Sequence, residues 1–177
     1  MIIGLTGEIG AGKDTAADIL RDKIGVHRRL SFKSAMVDVL VKIFDVEADI
    51  FFNRDLKDEP HVGLCGHSPR YVMQTFGTDW GRDMIYTHIW IDKVERQIMN
   101  ADCHVIITDV RFDEEAEMIK RHGGVIWLIK RDNNPYKSVD GMIHKAERGL
   151  SARYINRIWF NYGSLEDFGK INVDLLK

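Results

Sequence analysis

Residues 2–20 read IIGLTGEIGAGKDTAADIL, and this stretch decides the fold. Its apolar start predicts a short buried strand. A glycine-rich turn follows, in which Gly7, Gly12 and Lys13 match the spacing G-x-x-x-x-G-K. Apolar residues then recur at helical spacing, and Gly25 fits the end of a helix. The stretch therefore predicts a strand, a phosphate-binding loop and a helix, in that order.

Such a loop binds phosphate through backbone N–H groups that point inward. Glycine adopts the required backbone shapes at low cost, and the helix that begins near Lys13 adds the positive end of its dipole. The side chain of Lys13 is expected to reach the β- and γ-phosphates of a bound nucleotide. A chance glycine turn is the alternative, but the motif lies between strand and helix as its mechanism requires. The expected ATP-binding residues of the loop are Gly7, Gly10, Ala11, Gly12, Lys13, Asp14 and Thr15.

Asp14 stands where the strict motif has Ser or Thr as a magnesium ligand. A carboxylate is also a hard oxygen ligand, so Asp14 is expected to hold Mg²⁺ directly or through a water molecule. The hydroxyl of Thr15 is expected to donate to an α-phosphate oxygen. The substitution therefore changes the metal ligand without removing the site.

Further patterns continue the alternation of strands and helices along the chain. Strands are predicted in the segments 28–32, 104–109, 125–129 and 157–161. Helical spacing of apolar residues predicts helices between these strands and after the last one. Strands that alternate with helices indicate a parallel sheet covered on both faces, the three-layer α/β/α class. No linker or internal repeat occurs, so we expect a single domain over residues 1–177.

Two segments interrupt the alternation. Residues 45–68 contain acids, a proline and glycines, and we interpret them as a mobile insertion. Ser68 and Pro69 then predict the N-cap and the first residue of a helix through Phe76. The polar residues from about 131 to 150 are interpreted as a lid.

Composition gives no support for nucleic-acid or membrane partners and indicates a compartment. The net charge is −2, which offers no electrostatic reason to expect nucleic acid or a membrane surface as a partner. Cys65 and Cys103 form no CxxC pair, so a reducing, cytoplasmic compartment is the simplest expectation. The apolar start is too short for a signal peptide, and no apolar run approaches the ~20 residues that span a bilayer.

Several blocks beyond the loop narrow the function. They read GAGKDT, SPRYVMQTFGTDWGRDMIYTHIW, VIITDVRFDEEAEMIKRHGG, HKAERGL and NYGSLEDF. Together they resemble the bacteriophage-type deoxynucleoside monophosphate kinases, over roughly residues 1–169. The resemblance implies the magnesium-dependent reaction ATP + dNMP → ADP + dNDP on an adenylate-kinase-like P-loop fold, with parallel strands in the order 2-3-1-4-5. It also implies a viral source, hence the host cytoplasm, and is compatible with a homodimer.

The resemblance also assigns roles to residues around the metal ion and the transferring phosphate. Asp109 ends a buried strand, so its carboxylate is expected at the carboxyl edge of the sheet, holding a magnesium-bound water. A cap on the following turn is the alternative for this acid. Arg111 is expected to bind the acceptor phosphate, which suits the fork of a guanidinium group. An arginine of the lid is expected, with Lys13 and Arg111, to offset charge in the transition state. The candidates are Arg131, which opens the lid segment and is the first choice, and Arg148 and Arg153 beyond it.

The block R…Q..GTD..R…W resembles the acceptor-nucleotide region, expected at about 45–100. Arg70 and Gln74 are spaced i, i+4 and share a helix face, so one side chain can hold phosphate while the other reads a base edge. Trp90 either stacks on a base or fills core. The other expected acceptor contacts are Lys33, Gly77, Thr78, Arg82, Arg111, His144 and Glu147. The resemblance also implies that the turn with Asn161 and Gly163 lies near the donor adenine and contacts it through backbone groups.

The acceptor of such a reaction is itself a phosphate with a second pKa of about 6, so it needs no strong general base. Catalysis then reduces to alignment and charge neutralisation. Two alternatives stay open. One is another small-molecule kinase of this fold, acting on dephospho-coenzyme A or phosphomevalonate; the other is an ATP-binding switch without turnover. The R-Q-GTD-W block favours a nucleotide acceptor, and the many arginines after the strands favour phosphoryl transfer.

Overall fold

The structure is a computed structural model that describes residues 1–25, 27–53, 55–131 and 149–170. The chain divides into two compact units. The first, the sheet unit, comprises Met1–Ser31 and Gln97–Lys177. The second, the helical unit, comprises Phe32–Arg96. That both belong to one domain stays a prediction.

A parallel sheet forms the centre of the sheet unit. Its strands are β1 (Ile2–Thr6), β2 (His27–Leu30), β3 (His104–Ile107), β4 (Val125–Lys130) and β5 (Arg157–Phe160). They lie in the order β2-β3-β1-β4-β5, and every neighbouring pair is parallel. The predicted α/β class and the predicted strand order are confirmed.

Helices connect the strands and make up most of the helical unit. They are α1 (Lys13–Ile24), α2 (Phe32–Phe44), α3 (Asp49–Phe52), α4 (Pro69–Gln74), α5 (Ile89–Met99), α6 (Asp113–Arg121) and α7 (Leu165–Gly169). Among the described residues, none of these helices has the length and apolar character needed to cross a bilayer.

The two faces of β1 show how the sheet unit is layered. Ile3 and Leu5 are fully buried in one cluster with Ala16 and Leu20 of α1. Gly4 points to the opposite face, where a Cβ would lie 2.9 Å from the Cδ1 atom of Ile119 in α6. Alternate residues of a strand face opposite sides of the sheet, so α1 and α6 cover different faces.

Two strands, β2 and β3, end two residues earlier than the sequence suggested. β2 stops at Leu30, because Phe32 begins α2 and is buried in the helical unit. β3 stops at Ile107, and its continuation turns toward the neighbouring strands. There the Thr108 N–H donates to Leu30 O at 3.2 Å, and the Val110 N–H donates to Leu5 O at 3.1 Å. The chain after β3 therefore emerges at the carboxyl edge of the sheet, as expected for Asp109.

The described part of residues 45–68 belongs to the helical unit and packs within it. It contains α3 and a short 3₁₀ turn, Val62–Leu64. The side chains of Phe51 and Leu64 are fully buried. This segment therefore supplies core to the unit, a role that its mixed composition did not predict.

Ser68 caps α4 as predicted, since its hydroxyl accepts a hydrogen bond from the Tyr71 N–H at 3.2 Å. The prediction of the following helix boundaries was wrong. After α4 the chain continues as a π-helical segment, Thr75–Ile85, and α5 begins only at Ile89. π-helical turns are frequent at functional sites. Gly77 and Gly81 are buried in this segment, where a Cβ would lie 2.4 Å from Met36 Sδ and 3.1 Å from Trp90 Cζ2, respectively.

Candidate active site

The loop between β1 and α1 has the backbone of a phosphate-binding loop. Gly7, Gly10 and Gly12 all have positive φ angles, of 142°, 77° and 100°. At Gly7 a Cβ atom would lie 2.3 Å from the carbonyl oxygen of Ile129, so no larger residue fits. The positive φ angles therefore favour glycine at all three positions, and at Gly7 the close approach of β4 requires it as well.

Side chains hold the carbonyl groups of this loop. Lys13 Nζ donates to Gly7 O at 2.8 Å and to Glu8 O at 2.9 Å. Arg131 Nη1 donates to Gly10 O at 3.4 Å, and Asn161 Nδ2 donates to Ala11 O at 3.0 Å. These bonds fix the loop around the ammonium group of Lys13 at the N-terminus of α1. Positive charge is thereby gathered where the helix dipole already favours a phosphate.

Asp14 lies in the first turn of α1, and its side chain is 82% exposed. It forms an ion pair with Arg29 of β2. Arg29 Nη1 also lies 3.5 Å from Asp18 Oδ1, one helical turn further along α1. The sequence did not predict this arginine partner, since nothing in the spacing of β2 marks Arg29.

The donor set at this edge of the sheet fits magnesium. Asp14 is exposed, Asp109 is half-buried just beyond β3, and both offer carboxylate oxygens. Among the described residues, no group of three or more His, Cys, Asp and Glu side chains could hold a metal ion. Mg²⁺ typically takes one or two carboxylates together with substrate phosphates, so these acids suit an ion that arrives with a nucleotide.

Arg111 lies in the segment that leaves the same edge of the sheet after β3, and a buried acid holds its backbone. Glu115 is only 3% exposed, and its Oε2 accepts from the backbone N–H groups of Arg111 at 2.8 Å and Phe112 at 3.1 Å. A carboxylate in the first turn of α6 also benefits from the helix dipole. Sequence reasoning missed Glu115, although an acid at the third position of a helix is a recognised signal.

The predicted lid lies mostly outside the described residues, as do His144, Glu147 and Arg148. At its start, Arg131 contacts the loop carbonyl of Gly10, as described above. Beyond the lid, Arg153 lies in the 3₁₀ turn Ala152–Tyr154 and pairs with an acid of α6, its Nη2 being 3.6 Å from Asp113 Oδ2. Arg131 and Arg153 are the two lid candidates within the described residues, and Arg131 is the one that contacts the phosphate-binding loop.

In the helical unit, Arg70 is bound by an acid from the preceding segment. Its Nη2 donates to Asp58 Oδ2 at 3.1 Å, and its Nε donates to Asp58 Oδ1. The hydrogen bonds from this guanidinium group lower the pKa of the Asp58 carboxyl group. Gln74 follows one helical turn after Arg70 on α4 and is half-buried.

Trp90 is buried in the structure, which favours the core interpretation of this residue over stacking on a base. It is 8% exposed, and its Nε1 donates to Gly77 O at 2.8 Å. Thr78 and Arg82 are also buried, within the π-helical segment. Lys33 lies with its Nζ 4.5 Å from the ring centre of Phe52.

Comparison with known proteins adds an independent line of evidence. A protein-family model described as "Deoxynucleotide monophosphate kinase" matches residues 65–171, more than half of the chain. A protein of Acanthamoeba polyphaga mimivirus, named "Putative deoxynucleotide monophosphate kinase", is 32% identical over 95% of this chain and 92% of its own. The "Deoxynucleoside-5'-monophosphate kinase" of Escherichia phage T5 is 33% identical over 88% of this chain and 87% of its own.

A solved structure agrees at the level of the fold. The crystal structure of TT1252 from Thermus thermophilus superposes with a TM-score of 0.50. The match covers 95% of this chain and 92% of the other, at 18% identity. At that identity the likeness concerns architecture alone.

Proposed function

This chain belongs to the deoxynucleotide monophosphate kinase family, and from that premise we propose that it catalyses the reaction ATP + dNMP → ADP + dNDP. The observation that carries the proposal is the loop around Lys13, whose carbonyls are held by Lys13, Arg131 and Asn161. A loop held in this shape presents its N–H groups to phosphate without reorganisation at the moment of reaction.

On the donor side, the loop would bind the β- and γ-phosphates of ATP. Lys13 and Arg131 supply two positive charges next to the transferring group, where negative charge spreads over the equatorial oxygens. Arg131 reaches this position from the end of β4, by its contact with Gly10. These two side chains therefore stabilise the transition state more than the separated substrates.

Asp14 and Asp109 would hold Mg²⁺ at the carboxyl edge of the sheet, directly or through water. When bound, the ion neutralises charge on the β- and γ-phosphates. Asp14 must then exchange its contact with Arg29 for the ion or share the carboxylate between both. Arg29 thus contacts the proposed metal ligand Asp14, although the loop motif itself does not contain it.

On the acceptor side, Arg111 and Arg70 would hold the dNMP phosphate, with Gln74 at the base. The acceptor is mostly a dianion near pH 7, so the protein needs to align it and reduce repulsion between phosphates. Glu115 fixes the backbone of Arg111, and Asp58 orients the fork of Arg70. His144 and Glu147 remain part of the proposed acceptor set. The proposal locates the protein in the cytoplasm, with ATP and dNMP as its partners.

A coupled assay of ADP release tests the proposal. The panel contains the four common dNMPs, the matching ribonucleotides, dephospho-coenzyme A and phosphomevalonate. ADP formation that depends on a dNMP is expected. If ADP forms only with one of the other acceptors, that compound and not a dNMP is the substrate. ATP binding without acceptor-dependent ADP would favour a switch without turnover.

A further inference from the structure

One side chain of the turn after β5 reaches the phosphate-binding loop. The backbone N–H of Asn161 donates to Lys130 O at 2.8 Å, which fixes the residue at the end of β5. Its Nδ2 donates to Ala11 O at 3.0 Å, and its Oδ1 accepts from the Gly163 N–H at 3.0 Å. Because a carbonyl can only accept and a backbone N–H can only donate, these partners determine which way the amide points.

Asn161 also occupies the space beside the second glycine of the motif. A Cβ atom at Gly12 would lie 2.7 Å from Asn161 Nδ2 and 3.5 Å from Phe168 Cε1. Gly12 is therefore needed both for its positive φ and for the approach of this amide. The contact joins the part of the loop that leads into α1 to a turn 150 residues further along the chain.

The turn that carries Asn161 is itself rigidly packed. The ring centroids of Trp159 and Phe168 lie 4.5 Å apart, and Trp159 Nε1 donates to Phe168 O at 3.2 Å. Both residues are buried in the same core cluster as Ala11. Asn161 therefore connects the loop to the core of the sheet unit.

We propose that Asn161 is a positioning residue for the donor triphosphate. Its side chain holds the Ala11 carbonyl and so fixes the orientation of the adjoining N–H groups toward the phosphates. The sequence led us to expect that this turn contacts the adenine through backbone groups alone. We assign the side chain of Asn161 instead to the loop that binds the phosphates, and not to the adenine. The inference deepens the proposed function, on which it rests for the presence of a polyphosphate in the loop.

The test separates an effect on phosphates from an effect on adenine. Dissociation constants for ATP and for inorganic tripolyphosphate, which has no base, are measured by calorimetry on the wild type and Asn161→Ala. Loss of one hydrogen bond should weaken both ligands by the same factor, about three- to tenfold. The matched control is Asn53→Ala, because Asn53 Oδ1 accepts a local bond from the Asp55 N–H at 2.9 Å. This control should bind both ligands as the wild type does.

Two results would overturn the proposal. If Asn161→Ala weakened ATP but left tripolyphosphate unchanged, the side chain would be a contact of the nucleoside. If it weakened neither ligand, or no more than Asn53→Ala does, the loop would not depend on it.

A measurement without ligand keeps the proposal testable whatever the affinities are. Hydrogen exchange of the amides of residues 7–13 should be faster in Asn161→Ala, while exchange in β4 stays as in the wild type. Equal rates in both proteins would contradict the proposal. A wild type inactive toward every dNMP would defeat the proposed function, and these binding and exchange results would still decide the role of Asn161.

Discussion

Arg29 of β2 is paired with Asp14, the residue that replaces the usual Ser or Thr of the loop motif. The guanidinium group of Arg29 therefore binds the carboxylate that we propose as a magnesium ligand. Both side chains are partly open to solvent, so the pair is weak enough for a divalent ion to displace. The proposed magnesium role of Asp14 therefore predicts that Arg29 and the ion compete for this carboxylate.

Replacing Arg29 should make magnesium bind more easily. For Arg29→Gln we expect the Mg²⁺ concentration at half-maximal activity to fall about two- to fivefold, which corresponds to an exposed ion pair of up to ~1 kcal/mol. The control is Arg28→Gln, since Arg28 Nη1 donates to Gln97 O at 3.4 Å and not to α1. An unchanged magnesium requirement in Arg29→Gln, or an equal change in both variants, would contradict this competition.

Lys13 should matter far more than another lysine of the same helix. Lys13→Met removes the charge at the centre of the loop, and we expect kcat/KM for ATP to fall by about 10²–10³-fold. Lys23 lies in the last turn of α1 and is exposed, so Lys23→Met should keep activity near that of the wild type. Steady-state kinetics at saturating magnesium measure both variants. A loss below tenfold for Lys13→Met would argue against its proposed role.

The loop should not accept a side chain at its first glycine. In Gly7→Ala the new Cβ would meet the Ile129 carbonyl at 2.3 Å, with φ at 142°. We expect the free energy of unfolding in urea to drop by about 1–3 kcal/mol and ATP binding to weaken. Gly169→Ala is the control, because a Cβ there meets nothing within 4 Å. Equal stability of the two variants would show that the loop can relax.

The architecture was largely predictable because its signals are local. Apolar runs such as VIWLI mark buried strands, and the glycine motif joins β1 to α1. Periodicity does not encode which strands are neighbours, so the strand order came from the family resemblance. At the end of β2, Phe32 extends an apolar pattern but packs into the helical unit. The predicted end of β2 was therefore wrong because the packing of Phe32 is set by tertiary structure, which β-propensity alone does not predict.

The candidate site was predictable only where its residues form one motif. Asp14 and Arg29 are 15 residues apart, and Ala11 and Asn161 are 150 apart. Each pair lies on separate elements that meet through the sheet order, and nothing along the chain marks them as partners. The core position of Trp90 likewise follows from its bond to Gly77, which an aromatic residue in a motif block does not reveal.

The Asp58 and Arg70 pair predicts a dependence on pH in the acid range. Hydrogen bonds from Arg70 lower the pKa of Asp58, so the stabilisation exists above the usual aspartate pKa and is lost as pH falls through the lowered value. NMR titration should find the carboxyl pKa of Asp58 below its ordinary value, and closer to it in Arg70→Gln. Asp58→Asn, which has no group to titrate there, should lack this component. An Asp58 pKa unaffected by Arg70→Gln would contradict the pairing.

The central claim is that the loop around Lys13 passes the γ-phosphate of ATP to a deoxynucleoside monophosphate. Transfer of label from [γ-³²P]ATP, followed by chromatographic separation of the products, tests this most directly. With magnesium and a panel of dNMPs, label should appear in a dNDP with the wild type and with Lys23→Met, and should be strongly reduced with Lys13→Met. Label that appears only in inorganic phosphate, or in no dNDP for any member of the panel, would contradict the claim.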